Sequence, residues 1–304
     1  MKRLSVVAVI AVVGLFAAAC GSNDNGGAIT PKGTTTSRPS TAGAGSLKSK
    51  LPTAIANAGV IKVGSDVAYA PNEFFKEGTQ EAQGMDVDMA DALGTKLGVK
   101  FQFTNSTFDG LITAINAGRF DVAISSMSDT KKRQDSGVDF VDYFNAGTSI
   151  IVQKGNPKKI NKLDDLCGQT IGLQRGTTQE DVAKAQDKKC QDAKKGPLNI
   201  LTFDKDTDAL QSLKAGRSVA DMNDFPVAAY NAKTSNNGND FEVVGEQIEA
   251  GPYGIAVPKT NEQLRNAIQE ALQAIIADGT YDSVLAKWNL QQGALKTAAI
   301  NGGT

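Results

Sequence analysis

The sequence predicts an α/β protein with two lobes, each built on a mostly parallel sheet with helices on both faces. Strand-like runs alternate with helix-like segments along the body of the chain, which is the pattern of parallel α/β sheets. The segment 111–124 is echoed by the segment 210–223, since each reads as a helix, an Ala-Gly-Arg exit and a strand. The length of 304 residues also suits two lobes better than one core.

The first predicted elements follow one another closely. A strand over 60–64 precedes a helix whose apolar residues Met89, Leu93 and Leu97 recur every four positions, and Gly98 ends this helix. The order then continues with strand, helix and strand, over 100–104, 109–117 and 120–124.

The N-terminus has the form of an export signal. Lys2 and Arg3 are followed by a mostly apolar run over 4–16, which is too short for a comfortable membrane span. We therefore predict a signal peptide over residues 1–19 and an extracytoplasmic location.

The residues around Cys20 resemble a bacterial lipobox. Ala-Ala precedes the cysteine and Gly21 follows it, although Ala17 stands where a leucine is usual. The resemblance implies that Cys20 receives a diacylglycerol and anchors the protein to the cell membrane; a plain secretory signal with an incidental cysteine is the alternative. The following residues contain almost no large apolar side chain, so 20–50 is predicted to be a lipidated, disordered tether.

The chain contains no histidine and has a formal net charge of −1. The missing histidine removes Ser-His-Asp and Cys-His nucleophilic catalysis, HExxH metalloprotease chemistry and most zinc sites. An enzyme of this sequence would have to use carboxylates, lysine or tyrosine. The balanced charge gives no indication of nucleic acid. We expect no cofactor and no metal.

Two further cysteines, Cys167 and Cys190, remain in the exported body. An exported chain with two remaining cysteines favours a disulfide, and a metal site is disfavoured without histidine or a Cys-x-x-Cys motif. The disulfide would stabilise the fold by about 3 kcal/mol in the chain-entropy model.

The stretch 125–133 is the strongest candidate for a binding site. Ser125, Ser126 and Ser128 follow a predicted strand and precede a helix-like start, and Arg133 lies one turn into that helix. Hydroxyls and backbone N–H groups at a helix start suit an anion, and a guanidinium can hold a carboxylate through two parallel hydrogen bonds. By itself the Lys-Lys-Arg run is typical of a solvated helix face.

The second lobe offers a complementary charge at the equivalent place. Its echoed strand is followed by Asp224, and ligands bind beyond the carboxyl ends of strands in open α/β sheets. Thr177 and Glu180 fit a capping box that opens another helix after a strand, which adds N–H groups for a carboxylate. An anion site facing an acid predicts a zwitterionic ligand.

These motifs, in this order, resemble family 3 of the extracellular solute-binding proteins, the polar amino-acid receptors of ABC importers. The likeness covers about residues 51–290. The segments that carry it are Asp66-Val67-Ala68-Tyr69-Ala70-Pro71, Gly84-Met85-Asp86-Val87-Asp88, Phe108-Asp109-Gly110-Leu111, 125–133, Gly176-Thr177-Thr178, Asp224, Asp278-Gly279-Thr280-Tyr281 and Lys287-Trp288.

The resemblance implies a type II periplasmic-binding-protein fold, with two mostly parallel sheets joined by two crossing segments near 145–151 and 248–255. The predicted first lobe comprises 51–147 and 252–294. The predicted second lobe comprises 148–251, and 295–304 is predicted to be a C-terminal tail.

The resemblance also implies roles for individual residues. Arg133, Ser128 and Thr178, with Thr177 beside them, are expected at the ligand's α-carboxylate. Asp224 and Ser126 are expected to accept from its α-ammonium. Tyr69 and Phe108 would bracket the ligand's side chain, while Asp66 and Gln174 would meet its far end.

The implied function is that of a lipoprotein that binds a polar amino acid, closes on it by hinge motion and delivers it to a permease. We expect a monomer. Asp66 favours a side chain that donates hydrogen bonds, although Arg175 would favour a carboxylate if it turned inward. The alternatives are an exported enzyme of the same fold, of dehydratase or murein-cleaving type, and an amino-acid sensor domain.

Overall fold

A computed structural model describes residues 47–304 of the chain. The predicted signal peptide, Cys20 and most of the predicted tether therefore lie outside the described residues. The described part begins slightly before the predicted domain boundary at residue 51. Leu47 already contacts the body, since its N–H donates to the carbonyl of Lys96 at 3.1 Å.

The helices and strands alternate as the sequence predicts. The α-helices are α1 (Thr53–Ala58), α2 (Met85–Leu97), α3 (Leu111–Asn116), α4 (Lys131–Gln134), α5 (Thr178–Asp192), α6 (Asp206–Lys214), α7 (Phe225–Thr234), α8 (Glu262–Ala277) and α9 (Thr280–Trp288). The strands are β1 (Val60–Ser65), β2 (Ala68–Tyr69), β3 (Glu73–Phe75), β4 (Ala82–Gln83), β5 (Lys100–Asn105), β6 (Val122–Ala123), β7 (Val138–Gln153), β8 (Thr170–Gln174), β9 (Asn199–Phe203), β10 (Ala220–Asp224) and β11 (Phe241–Pro258).

The strands confirm a two-lobed α/β architecture with parallel pairing in each lobe. In the first lobe β1 pairs in parallel with β5 and β6, and in the second lobe β8 pairs in parallel with β9 and β10. The long strands β7 and β11 pair with each other in antiparallel fashion and connect the two groups. The result is one eight-stranded sheet, in the order β5-β1-β6-β11-β7-β10-β8-β9, beside a small sheet of β2, β3 and β4.

The crossing strands are irregular where they pass from one lobe to the other. The register between β7 and β11 shifts between Val244 and Ile248, between Ile248 and Gly251, and between Tyr253 and Gly254. Irregularities of this kind increase the local twist of a strand pair. They lie in and beside the segment that the sequence predicts as the second crossing, 248–255.

Each lobe has hydrophobic clusters formed between the sheet and its helices. The largest cluster lies in the first lobe and includes the stripe Met89, Leu93 and Leu97 of α2, which is buried as predicted. Gly98 ends α2 with φ 65°, a left-handed conformation that favours glycine. The second lobe has its own cluster, to which Leu173 and Val182 belong.

Two further sequence predictions, the disulfide and the echo between the lobes, are confirmed. Cys167 and Cys190 form a disulfide, with Cα atoms 5.3 Å apart. The echoed segments are α3 with β6 and α6 with β10, and the glycines of their Ala-Gly-Arg exits, Gly118 and Gly216, have φ of 72° and 70°. The repeated tripeptide therefore marks the same left-handed helix exit in both lobes.

The C-terminal segment lies along β7. Ile300 forms an antiparallel bridge with Val141, and the N–H of Gly303 donates to Asp129 Oδ2 at 2.8 Å. Residues of the predicted tail are therefore packed against the first lobe. Within residues 47–304, no helix combines the length and the apolar character needed to span a bilayer.

Candidate ligand-binding site

A small cavity lies between the two lobes. Several of the residues that line it lie at or just after the carboxyl ends of parallel strands, which is where open α/β sheets bind ligands. The lining side chains belong to Asp66, Tyr69, Glu73, Phe108, Ser125, Ser126, Ser128, Arg133, Gln174, Thr177, Thr178, Gln179 and Asp224.

All ten residues predicted for ligand binding line this one cavity. The first lobe contributes six of them, from segments far apart in sequence: Asp66, Tyr69, Phe108, Ser126, Ser128 and Arg133. The second lobe contributes Gln174, Thr177, Thr178 and Asp224. The structure therefore brings the predicted residues together; their contacts with a ligand remain predictions.

The predicted anion end is formed by groups from both lobes. The Oγ of Ser128 and the Oγ1 of Thr178 lie 3.4 Å apart. Arg133 donates through Nη1 to the carbonyl of Ser128 at 2.8 Å and through Nη2 to the carbonyl of Gly176 at 3.0 Å. A guanidinium has five N–H donors, so others remain for an anion.

The helix start at this end differs from the prediction. The helix α4 has only four residues, and Thr130 caps it by accepting from the N–H of Arg133 at 3.3 Å. This N–H is thus bonded within the protein, and a helix of one turn has only a small dipole. At the predicted anion end, the guanidinium and the hydroxyls therefore take the place expected for the terminus of α4.

The guanidinium of Arg133 is also held by an aromatic ring. Its central carbon lies 5.3 Å from the ring centroid of Phe108, within the range of a cation–π contact. Burial lowers the pKa of Arg133 to about 10, so the group remains positively charged at neutral pH. Phe108 therefore orients Arg133 in addition to lining the cavity.

Thr177 opens α5 as predicted, but the reciprocal bond of the capping box is displaced. Its Oγ1 accepts from the N–H of Glu180 at 3.3 Å and donates to the carbonyl of Gln174 at 2.7 Å. The carboxylate of Glu180 accepts from Gly176 at 2.8 Å, one residue before the cap. The hydroxyl of Thr177 is thus engaged within the protein, and Thr178 presents the hydroxyl nearest to Ser128.

The predicted cation end is centred on Asp224. Its Oδ1 accepts from Gln179 Nε2 at 2.8 Å and its Oδ2 accepts from the hydroxyl of Tyr69 at 3.0 Å. Burial raises the pKa of Asp224 to about 6. The group is therefore mainly ionised at neutral pH, and a carboxylate retains lone pairs for further donors.

The far end of the cavity is acidic. Gln174 Nε2 donates to Asp66 Oδ2 at 2.5 Å across the two lobes, and burial raises the pKa of Asp66 to about 6. Arg175 pairs instead with Asp204 at 2.6 Å, and about half of its side chain is exposed to solvent. Arg175 is therefore not turned into the cavity, as it would have to be to favour an acidic ligand.

Three lining residues were missing from the predicted set. Ser125 lies in the segment 125–133 and Gln179 lies between Thr177 and Glu180 of the capping box, so both could have been included from strand ends and helix caps alone. Glu73 follows the 66–71 motif by two residues, and it reaches the cavity because β2 and β3 form an antiparallel pair. That placement had no signal in the local sequence pattern.

Comparison with known proteins identifies the family. The profile described as "Bacterial extracellular solute-binding proteins, family 3" matches residues 61–291. The curated Arginine-binding protein ArgT of Corynebacterium glutamicum is 29% identical over 256 residues, which cover 84% of this chain and 82% of that protein.

Solved structures agree in fold. An ancestral arginine-binding protein bound to arginine matches with a TM-score of 0.70 and 38% identity, covering 76% of this chain and 98% of that chain. The ancestral amino acid-binding protein AncCDT-1, a precursor of cyclohexadienyl dehydratase, matches with a TM-score of 0.69 and 36% identity, covering 77% of this chain and 97% of that chain.

Proposed function

The chain belongs to the bacterial extracellular solute-binding proteins of family 3, and on that premise we propose that it captures a polar amino acid for an ABC importer. Its fold is the type II fold of periplasmic amino-acid-binding proteins. The proposal further assigns it to the cell membrane, through a lipid on Cys20, as a monomer that delivers its ligand to the permease.

The observation that carries the proposal is the pair of opposite charges in one cavity. Arg133 with Ser128 supports binding of an α-carboxylate from the first lobe. Asp224 supports binding of an α-ammonium from the second lobe. Charge-assisted hydrogen bonds contribute about 1.5–3 kcal/mol each, so three or four of them account for micromolar binding.

The same arrangement supports closure as the working motion. A ligand that bonds to groups of both lobes binds the closed form better than the open form, and this difference in affinity drives closure. We keep 51–147 with 252–294, and 148–251, as the proposed lobes that move relative to each other about the crossing segments.

The far end supports a cationic side chain as the preferred ligand group. Asp66 and its partner Gln174 offer an acidic, hydrogen-bonding wall, and Arg175 is directed to Asp204. A relative named for arginine binding and a similar structure bound to arginine point in the same direction. We therefore propose L-arginine as the first ligand to test, with lysine and glutamine next.

The experiment is a thermal-shift screen of the common L-amino acids, followed by calorimetric titration of those that stabilise the protein. We expect L-arginine to raise the melting temperature and L-glutamate to leave it unchanged. An Asp66→Asn variant should lose affinity for arginine and keep more of its affinity for glutamine. Stabilisation by none of the amino acids would contradict the proposal.

An exported enzyme remains the rival function, because one similar structure is a precursor of a dehydratase. The two ionisable acids with predicted ligand roles, Asp66 and Asp224, both accept hydrogen bonds within the protein. We therefore expect binding without turnover. Recovery of chemically unchanged L-arginine after prolonged incubation, checked by NMR, distinguishes the two.

A further inference from the structure

Two buried carboxyl groups contact Ser125 and Ser126 of the cavity lining. Glu73 and Asp86 are 1% and 0% exposed. Glu73 accepts from the hydroxyl of Ser125 at 3.0 Å. Asp86 belongs to one of the motifs that carry the family likeness, yet it does not line the cavity and no ligand role accounts for it.

The hydrogen bonds assign the negative charge to Asp86. Its Oδ1 accepts from the hydroxyl of Tyr143 at 2.7 Å and its Oδ2 accepts from the N–H of Ser126 at 2.8 Å. The backbone N–H of Ser126 can only donate, which suits an ionised Asp86, whereas the neighbours of Glu73 are hydroxyls of Ser125 and Ser126, which can also accept from a protonated carboxyl. Burial together with the neighbouring Asp86 raises the pKa of Glu73 well above the usual range. Of the two acids, Glu73 is therefore the one better placed to hold a proton.

The backbone fixes Asp86 in this position. Asp86 lies in the first turn of α2, where the helix dipole favours an acid. Gly84 precedes the helix with φ 135°, and a Cβ at this residue would lie 2.0 Å from the carbonyl oxygen of Asn72. Only glycine fits this approach, which brings α2 against the segment that carries Glu73.

The same carboxylate also contacts the backbone of Ser126, which has an unusual conformation. Ser126 has φ 47°, an uncommon conformation for a residue other than glycine, and its N–H is bonded to Asp86. Its hydroxyl lies 3.1 Å from Glu73 Oε2 and 3.3 Å from Asp86 Oδ2. A serine hydroxyl has a single hydrogen, so when that hydrogen points to the acids only lone pairs face the cavity.

We propose that Asp86 is a positioning residue of the site, whose carboxylate directs the hydroxyl hydrogen of Ser126 away from the cavity and so dedicates Ser126 to accepting from a ligand ammonium. The inference rests on the proposed function and names how the site selects an α-amino group. Glu73 contributes the proton that allows the two acids to be buried side by side.

The test compares L-arginine with argininic acid, in which a hydroxyl replaces the α-ammonium. Asp86→Asn should weaken L-arginine binding by about tenfold or more, as expected for loss of a charge-assisted contact. It should weaken argininic acid much less, so the preference between the ligands falls. Glu77→Gln, an exposed acid of the same small-sheet region, is the control and should change neither affinity. Equal losses for both ligands in Asp86→Asn would overturn the proposal.

A double-mutant cycle separates positioning from general support. Ser126→Ala should lower the same preference, and adding Asp86→Asn to it should cost much less than in the wild type. Additive losses would contradict an action through Ser126. Glu73→Gln resembles the protonated acid and should cost less than Asp86→Asn, whereas the reverse order would place the charge on Glu73 and overturn the assignment.

The outcomes are distinguishable from failure of the proposed function. If Asp86→Asn does not fold, as judged by circular dichroism, Ser126→Ala alone decides, and an unchanged preference overturns the inference. A wild type that binds L-arginine while these variants behave like Glu77→Gln removes the inference only. A wild type that binds no free amino acid removes the proposed function and the inference with it.

Discussion

The hydroxyl of Tyr69 and Asp224 form two hydrogen bonds across the two lobes. The hydroxyl donates to Asp224 Oδ2 at 3.0 Å and accepts from the Asp224 N–H at 2.9 Å. The two residues are 155 positions apart. The acid of the second lobe is therefore held in place by the first lobe, so the proposed ammonium site is complete only when the lobes are together.

Arg133→Lys should weaken L-arginine binding by about tenfold or more, because a point charge cannot replace a planar fork. The fork in this structure reaches Ser128 in one lobe and Gly176 in the other. Titration calorimetry measures the loss. Lys131→Arg, on the exposed side of the same short helix, is the control and should not change the affinity. An unchanged affinity in Arg133→Lys would remove this residue from the site.

Gly176→Ala should weaken binding by hindering the approach of the lobes. Gly176 has φ 78°, and a Cβ there would lie 2.8 Å from the Cβ of Asp109 in the first lobe. Gly155→Ala is a matched control, because Gly155 has φ 80° and open space around its Cβ position. Both variants should lose about 1–2 kcal/mol of stability from the left-handed conformation, and only Gly176→Ala should lose affinity. Equal affinities in the two variants would contradict the prediction.

Asp224→Asn should become relatively more stable as pH rises. Burial raises the folded-state pKa of Asp224 to about 6, above that of the unfolded chain. Between these values the folded state binds more protons than the unfolded state, so the group's contribution to stability falls as pH rises through the window. The melting temperature of the variant minus that of the wild type should therefore increase from about pH 4 to about pH 7.5.

The ligand affinity of the wild type should follow the opposite trend. Ionised Asp224 is the proposed acceptor for the ammonium, and Asp66 also has a pKa of about 6. L-arginine should bind more tightly at about pH 7.5 than at about pH 5. In Asp224→Asn the affinity should be low at both values. A wild-type affinity independent of pH would show that neither acid meets the ligand.

Removal of the disulfide should affect stability and leave binding intact. The double variant Cys167→Ser, Cys190→Ser opens a loop of 23 residues and should lose about 3 kcal/mol of unfolding free energy in the chain-entropy model. Both cysteines lie away from the cavity lining. Denaturant unfolding measures the loss of stability, and titration calorimetry measures the affinity for L-arginine. A large loss of affinity in a variant that is still fully folded would assign the disulfide a role in the site.

Much of the site could be predicted because it is built from short patterns at strand ends. Ser126, Ser128 and Arg133 follow one strand of the first lobe, and Asp224 ends the equivalent strand of the second lobe. Parallel strands bring their carboxyl ends to the same edge of a sheet, so side chains that are far apart in sequence converge. The echo between the lobes was readable for the same reason, since both copies use a glycine to leave the helix.

Other features depended on contacts that no local pattern records. The helix α4 begins after its cap Thr130 and ends after four residues, where the chain turns into β7. Glu73 faces the cavity through a strand pair of the small sheet. The crossing strands join the two parallel groups into one sheet, because β7 and β11 pair along most of their length.

By itself the sequence determined the order of helices and strands and the two-lobed class, since periodicity, caps and strand ends are properties of neighbouring residues. The family resemblance supplied the other expected site residues, among them Tyr69, Phe108 and Gln174. Only the tertiary structure placed the two buried acids Glu73 and Asp86 together beneath the cavity, where burial and the neighbouring acid raise the pKa of Glu73. Asp86 and Ser126 lie 40 positions apart, and the ionisation of a carboxyl group depends on burial and on the donors around it, which exist only after the chain has packed.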